Sequence, residues 1–140
     1  MKSSSNNLSI VIITKNEEEN IERCLKSADW ADEIVVLDSG STDRTPQICQ
    51  QYDCRFIEHE WQGFGRTKKY AVEQTRNNWI LSVDADEEIS QDLKETILQI
   101  IKDPKYKGYK INRRTFYLGK LINHCGWNRD YPLRLFNKQY

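Results

Sequence analysis

No apolar run in this 140-residue chain approaches the roughly 18 to 20 residues that carry a helix across a bilayer. The opening residues, Met1 to Asn7, have no apolar stretch of the kind that directs secretion, and they read as a disordered lead-in. The four cysteines (Cys24, Cys49, Cys54 and Cys125) include no Cys-x-x-Cys pair and are too sparse for a disulfide scaffold. Two phosphate-binding signatures are also missing, the Walker loop and G-x-G-x-x-G, which argues against a phosphoryl-transfer ATPase and a dinucleotide dehydrogenase. His59 and His124 lack the serine and carboxylate arrangement of a hydrolytic triad. There are no internal repeats and no low-complexity tracts.

What remains is a globular composition, 38% hydrophobic and 30% charged, of a length that suits one core. Cys24 and Cys49 fall on apolar helix faces, where a reduced thiol packs as a small hydrophobe, and a reducing cytosol is expected. The balance of 21 basic and 21 acidic residues hides an asymmetry. From Lys105 onward nine basic residues meet one acid, Asp130, leaving 12 basic against 20 acidic in the first 104 residues. A basic end on an acidic body suggests an anionic partner, and a solvated basic face is an equally good reading. Nucleic acid is not expected, since no recognition motif accompanies the charge.

Apolar patterning gives the layout. Leu8–Ile13 and Ile34–Leu37 are β-branched runs of the kind buried on both faces of a parallel sheet. Arg55–Ile57 and Trp79–Val83 supply two further strands. Helices are predicted over Glu17–Ala28, after Thr45 with Pro46 at its first position, over Thr67–Arg76, and after Ser90 with Leu93, Ile97, Ile100 and Ile101 inward. From Gly108 the chain reads as short strands and loops. Strand–helix alternation predicts an α/β fold, a mostly parallel, Rossmann-like sheet with helices on both faces. Residues 8–104 are expected to form the α/β core, with 105–140 continuing the same domain.

Ligands of such folds bind beyond the carboxyl ends of the strands, where three polar clusters fall: Thr14–Glu17, Asp38–Asp43 and Asp84–Glu87. Asp84 and Asp86 lie two apart, and in extended geometry both carboxylates would face one site. Two hard oxygen ligands suit Mg²⁺ or Mn²⁺ completed by phosphate and water. Alternatively, with Glu87 and Glu88, they only decorate the next helix start. Asp38 either accepts from a bound base or ribose, or organises an Asx-turn at Ser39–Gly40; on its own the turn is the better reading. Lys68 and Lys69 lie where an ammonium could neutralise diphosphate.

Together, Leu8 to Glu17, the Asp38-Ser39-Gly40-Ser41-Thr42-Asp43 turn and Asp84-Ala85-Asp86-Glu87 resemble the family 2 glycosyltransferases of the GT-A fold. The likeness continues through Trp61–Gly65, Lys68, Gly126-Trp127 and Asp130–Phe136, which are similar to the bacterial subgroup that adds sugars, often β-glucosyl, to the lipopolysaccharide inner core. The resemblance implies that Thr14, Asn16 and Glu17 line the nucleotide pocket, that Asp38 meets uracil or ribose, and that Lys68 meets the nucleotide-sugar. It places Asp84 near ribose and metal, makes Asp86 the direct metal ligand in a DXD motif, and makes Asp130 the candidate base. It implies a UDP-sugar donor, a lipid-linked glycan acceptor and a cytoplasmic enzyme, peripheral on an anionic inner membrane face. Apart from the resemblance, the aromatics of the basic end (Phe116, Tyr117, Trp127, Tyr131) could hold the acceptor, since rings stack on sugar faces as readily as they fill a core. Lys69 departs from the Lys-Asn of relatives. Such enzymes extend well past Asp130, so a truncated acceptor-binding region is expected. A nucleotide-sugar-binding module without turnover and a sugar nucleotidyltransferase are the alternatives; the latter normally has a glycine-rich loop where this chain has Thr14-Lys15-Asn16-Glu17.

Overall fold

A computed structural model describes residues 7–111, 116–118 and 133–139. Eight strands and four helices follow in the order β1 (Leu8–Thr14), α1 (Ile21–Ser27), β2 (Glu33–Asp38), α2 (Thr45–Cys49), β3 (Arg55–Glu58), α3 (Phe64–Glu73), β4 (Trp79–Asp84), β5 (Glu87–Ile89), α4 (Gln91–Lys102), β6 (Gly108–Lys110), β7 (Phe116–Leu118) and β8 (Leu133–Asn137) among the described residues. Six strands form one sheet in the order β3-β2-β1-β4-β8-β6, and β5 pairs with β7 in a second. The pairs β3–β2, β2–β1 and β1–β4 are parallel, while β8 runs antiparallel to both β4 and β6. The expected mostly parallel α/β sheet is present.

The β1 run is apolar at nearly every position because both of its faces are covered. Leu8, Ile10 and Ile12 join Ile34, Val36, Leu81 and Val83 under Ile21, Cys24 and Leu25 of α1 and Leu93 and Ile97 of α4. Val11, Leu37 and Ile80 point to the other face, where Ala71 of α3 closes a smaller cluster. Each fully buried Leu or Ile side chain contributes about 1.5–3 kcal/mol relative to exposure. The backbone after β1 and β4 is thereby held on a rigid platform.

Local chemistry moves three helix boundaries. The first helix begins at Ile21, later than the acidic pattern from Glu17 suggests, because the amides of Glu17 and Glu18 are taken by Thr45 Oγ1 (2.9 Å) and Asp43 Oδ2 (3.2 Å). Thr45 is the first residue of α2, not its cap: its hydroxyl donates to Asp43 and no side chain caps the helix. Helix α3 starts at Phe64, earlier than Thr67, because Gly63 turns the chain at φ 92°, a conformation that favours glycine. Ser90 does cap α4, accepting from the Leu93 amide at 3.1 Å. Among the described residues no helix is long and apolar enough to cross a membrane.

Candidate functional site

Strand order reverses at β1, since β2 lies on one side of it and β4 on the other. Loops leaving the carboxyl ends of β1 and β4 therefore diverge and open a crevice, the usual ligand position in such sheets. A cavity of about 360 Å³ lies there, lined by Asn16, Glu17, Glu18, Glu19, Asn20, Asp43 and Asp86. The three polar clusters read from the sequence each contribute to its wall.

The loops are tied together before any ligand arrives. Asn16 adopts the left-handed region at φ 54°, which asparagine tolerates better than most residues. That turn lets its Oδ1 accept from the Thr42 amide (2.7 Å) and the Asp43 amide (3.3 Å), while its own amide donates to Ser41 Oγ (2.7 Å). Desolvation pushes the Asp43 carboxyl up, but hydrogen bonds from the Thr45 hydroxyl and amide and the Glu18 amide outweigh it, leaving Asp43 below its ordinary value. A carboxyl depressed by folding stabilises the loop above its unfolded value, and that stability is lost as pH falls through the depressed one. Thr45→Val should therefore raise the Asp43 midpoint toward normal in a ¹³C-carboxyl NMR titration. An unchanged midpoint would remove Thr45 from this role.

Beneath the rim, Asp38 is fully buried and pairs in register with Thr14 across β1 and β2. Its carboxylate accepts from the Gly40 amide (3.1 Å), the Ser41 amide (2.9 Å) and the Ser41 hydroxyl. The turn-organising reading of Asp38 thus describes its contacts here. Around it, three buried polar atoms have no partner among the described residues: Thr14 Oγ1, Ser39 Oγ and His59 Nε2. Buried hydroxyls without hydrogen bonds are costly and rare, so a cluster of them at strand ends asks for a polar ligand.

Chain direction changes at the acidic pair. Strand β4 ends at Asp84, and Ala85–Asp86 form a turn into β5. The two carboxylates are consequently not carried on one face of an extended strand, as the two-residue spacing alone suggests. Asp86 borders the cavity and makes no hydrogen bond or ion pair among the described residues, whereas Asp84 Oδ2 lies 3.7 Å from Arg134 Nη2. Nor do Glu87 and Glu88 decorate a helix start. Glu87 is fully buried in β5 and receives a two-pronged contact from Arg134 of β8, Nη1 to Oε1 at 2.7 Å and Nη2 to Oε2 at 3.0 Å. Glu88 reaches the surface near Arg23 (3.7 Å).

Burial raises the Glu87 carboxyl above its ordinary value, and the hydrogen bonds from Arg134 pull it back only in part. Burial likewise lowers Lys68, with the Arg134 charge adding and the Asp84 carboxylate opposing. An ammonium so disfavoured gains from an arriving anion. Under the turn, burial pushes the Cys24 thiol well up, helped by the charges of Glu87, Asp84 and Asp86, and its Sγ lies 3.6 Å from the Asp84 carbonyl. That thiol is packing material and not a nucleophile.

The donor set around the turn is oxygen only. Among the described residues no three His, Cys, Asp or Glu side chains gather as an all-protein metal cage would require. One or two carboxylates suit Mg²⁺ or Mn²⁺ completed by water and substrate phosphate. Asp84 and Asp86 are the residues that would hold such an ion.

Of the residues named from the sequence, the structure brings Asn16, Glu17 and Asp86 to one cavity and Asp84 and Lys68 to an adjacent charged cluster with Arg134. Thr14 and Asp38 lie below. Asp130, Trp127, Tyr131 and Cys125 lie outside the described residues, as does His124. Glu87 and Arg134 were missed as a pair. Their signal is an arginine within the apolar strand Leu133–Phe136, which requires a buried counter-charge.

The family model described as "Glycosyl transferase family 2" matches residues 9–139, nearly the whole chain. The chain belongs to glycosyltransferase family 2. Its sheet and flanking helices are those of the GT-A fold. It is 34% identical over 118 residues to the lipopolysaccharide core biosynthesis glycosyltransferase LpsC of Rhizobium meliloti, covering 80% of this chain and 44% of that one. The S. aureus TarS structure in complex with UDP-GlcNAc superposes with a TM-score of 0.63 at 25% identity, over 72% of this chain and 32% of the other. Glucosyl-3-phosphoglycerate synthase from Mycobacterium tuberculosis, in complex with Mn²⁺, UDP and product, superposes at 0.52 with 27% identity, over 57% and 33% of the two chains. This family 2 chain spans about half the length of the curated relatives it matches.

Proposed function

We propose that this chain is the donor-binding part of an inverting, metal-dependent glycosyltransferase that moves a sugar, glucose in our reading, from a UDP-sugar to a lipopolysaccharide core or related envelope glycan. The observation that carries the reading is the crevice itself: an acid-lined cavity at the strand reversal, above buried hydroxyls that have no partner among the described residues. TarS with UDP-GlcNAc and the synthase with UDP and Mn²⁺ support the donor class, and LpsC supports the acceptor class.

In this proposal Thr14, Asn16 and Glu17 border the nucleoside, and Asp38 keeps the loop shaped for the base and ribose. Lys68 meets the diphosphate, Asp84 lies near the ribose, and Asp84 and Asp86 are the residues that would hold a divalent cation against the diphosphate. A divalent cation bound there would supply positive charge against the leaving diphosphate, a contribution of several kcal/mol. Asp130 takes the proton of the acceptor hydroxyl; that oxygen bonds to the anomeric carbon as the bond from that carbon to the diphosphate oxygen breaks, inverting the centre. Residues 105–140 begin the acceptor-binding region, and their basic character suits a lipid-linked acceptor on the anionic inner face of the cytoplasmic membrane.

A thermal-shift panel tests the donor. UDP-sugars at about 100-fold over Kd should stabilise the protein by about 2.7 kcal/mol, raising Tm by roughly 5–10 °C, and only with Mn²⁺ or Mg²⁺. No shift with any nucleotide-sugar sinks the reading. Since the chain spans about half of its relatives, the second reading is donor binding without transfer, which a product assay separates.

A further inference from the structure

Five contacts converge on the acidic turn from a single side chain and its partner. Arg134 Nη1 donates to the Ser82 carbonyl (3.1 Å) and to Glu87 Oε1 (2.7 Å), and Nη2 donates to Glu87 Oε2 (3.0 Å). Glu87 Oε1 also accepts from the Asp84 amide at 2.8 Å, and Arg134 Nη2 stands 3.7 Å from Asp84 Oδ2. The two side chains are 4% and 0% exposed. Resting on the donor-site reading above, we infer that Arg134 and Glu87 are positioning residues for the reaction: they clamp the backbone of Asp84 and the direction of its carboxylate, so that Asp84 and Asp86 are presented to a divalent cation in a fixed arrangement.

Geometry favours positioning over simple stabilisation. A buried ion pair is not, as a rule, more stabilising than an apolar pair of the same size. What the guanidinium adds is direction, because its planar fork fixes both oxygens of one carboxylate at once. The hydrogen bonds named above tie the pair to Ser82 and Asp84, on the segment Ser82–Glu87 that carries the acidic residues. Partners behind metal ligands that hold them in this way usually govern 10–100-fold in metal affinity or activity, as an order of magnitude. The clamp also links the donor side to β8, whose strand begins three residues after Asp130 in the sequence.

The test uses Mn²⁺ and UDP as probes. Calorimetric titration of UDP at graded Mn²⁺ is compared between wild type and Arg134→Lys, which keeps the charge and loses the fork, with thermal unfolding followed on the same samples. The Mn²⁺ concentration for half-maximal UDP binding should rise about 10–100-fold in a protein that remains folded. The double variant Glu87→Gln/Arg134→Gln, which buries no unpaired charge, should show the same shift, and it decides the matter if Arg134→Lys does not fold. Wild-type Mn²⁺ dependence in a folded variant, even one with lowered Tm, overturns the positioning role. Failure of the wild-type protein to bind UDP with Mn²⁺ overturns the donor-site reading instead, and the positioning role falls with it.

Discussion

Asp86→Ala is expected to remove metal-dependent UDP binding and to lower sugar transfer by about 10²–10³-fold, the usual loss when one group opposing the developing charge is deleted. Asp86 borders the cavity with no internal partner among the described residues, so its removal should leave the fold intact and, under the proposed function, delete only a metal ligand. Asp130→Asn should behave differently, keeping metal-dependent UDP binding while losing about 10²–10⁴-fold in transfer, because a base acts on the acceptor and not on the donor. Binding measured by calorimetry beside turnover of labelled sugar makes the distinction. A variant of Asp86 that binds UDP with wild-type metal dependence removes it as a ligand, and wild-type turnover in Asp130→Asn removes it as the base.

Glu87→Ala is expected to be the most damaging single change to stability. It removes the carboxylate that both guanidinium nitrogens of Arg134, 4% exposed, hydrogen-bond, and leaves the more distant Asp84 carboxylate at 3.7 Å. Breaking a buried pair from one side costs about 3–5 kcal/mol, a large share of the 5–15 kcal/mol typical of a folded domain. For a chain of this size Tm should fall by roughly 10–15 °C. Glu88→Ala, one residue on, removes only a surface ion pair with Arg23 at 3.7 Å and should be nearly silent. Urea unfolding of the two variants checks both statements, and equal losses would refute the burial argument.

The sequence was most legible where local rules and burial agreed. The continuous apolar runs of β1 and β2 and the Ser90 cap are local features that appear where the pattern puts them, and the alternating helices appear in the expected order with three of their starts displaced. The meeting of Asn16 and Glu17, Asp43 and Asp86 at one cavity followed from the placement of their three clusters at strand ends of an α/β fold. Detail was lost where a side chain answered to a distant partner. Glu17 reads as a helix start until Thr45, 28 residues on, accepts from its amide. Asp84 and Asp86 read as one strand face until the chain turns at Ala85 to bury Glu87. No periodicity reports a contact between positions 87 and 134; only the oddity of an arginine among Leu133, Leu135 and Phe136 does.

Strand β8 enters the sheet between β4 and β6, although β6 precedes it in the chain. Glu87 therefore waits 47 positions for its counter-charge. During synthesis the first four strands can assemble around β1 while that carboxyl sits in a half-built interior, and contacts so far apart in sequence close slowly. A nascent chain released before residue 134 would hold the loops of the crevice but lack the latch on the acidic turn, which makes completion of that turn one of the last events of folding.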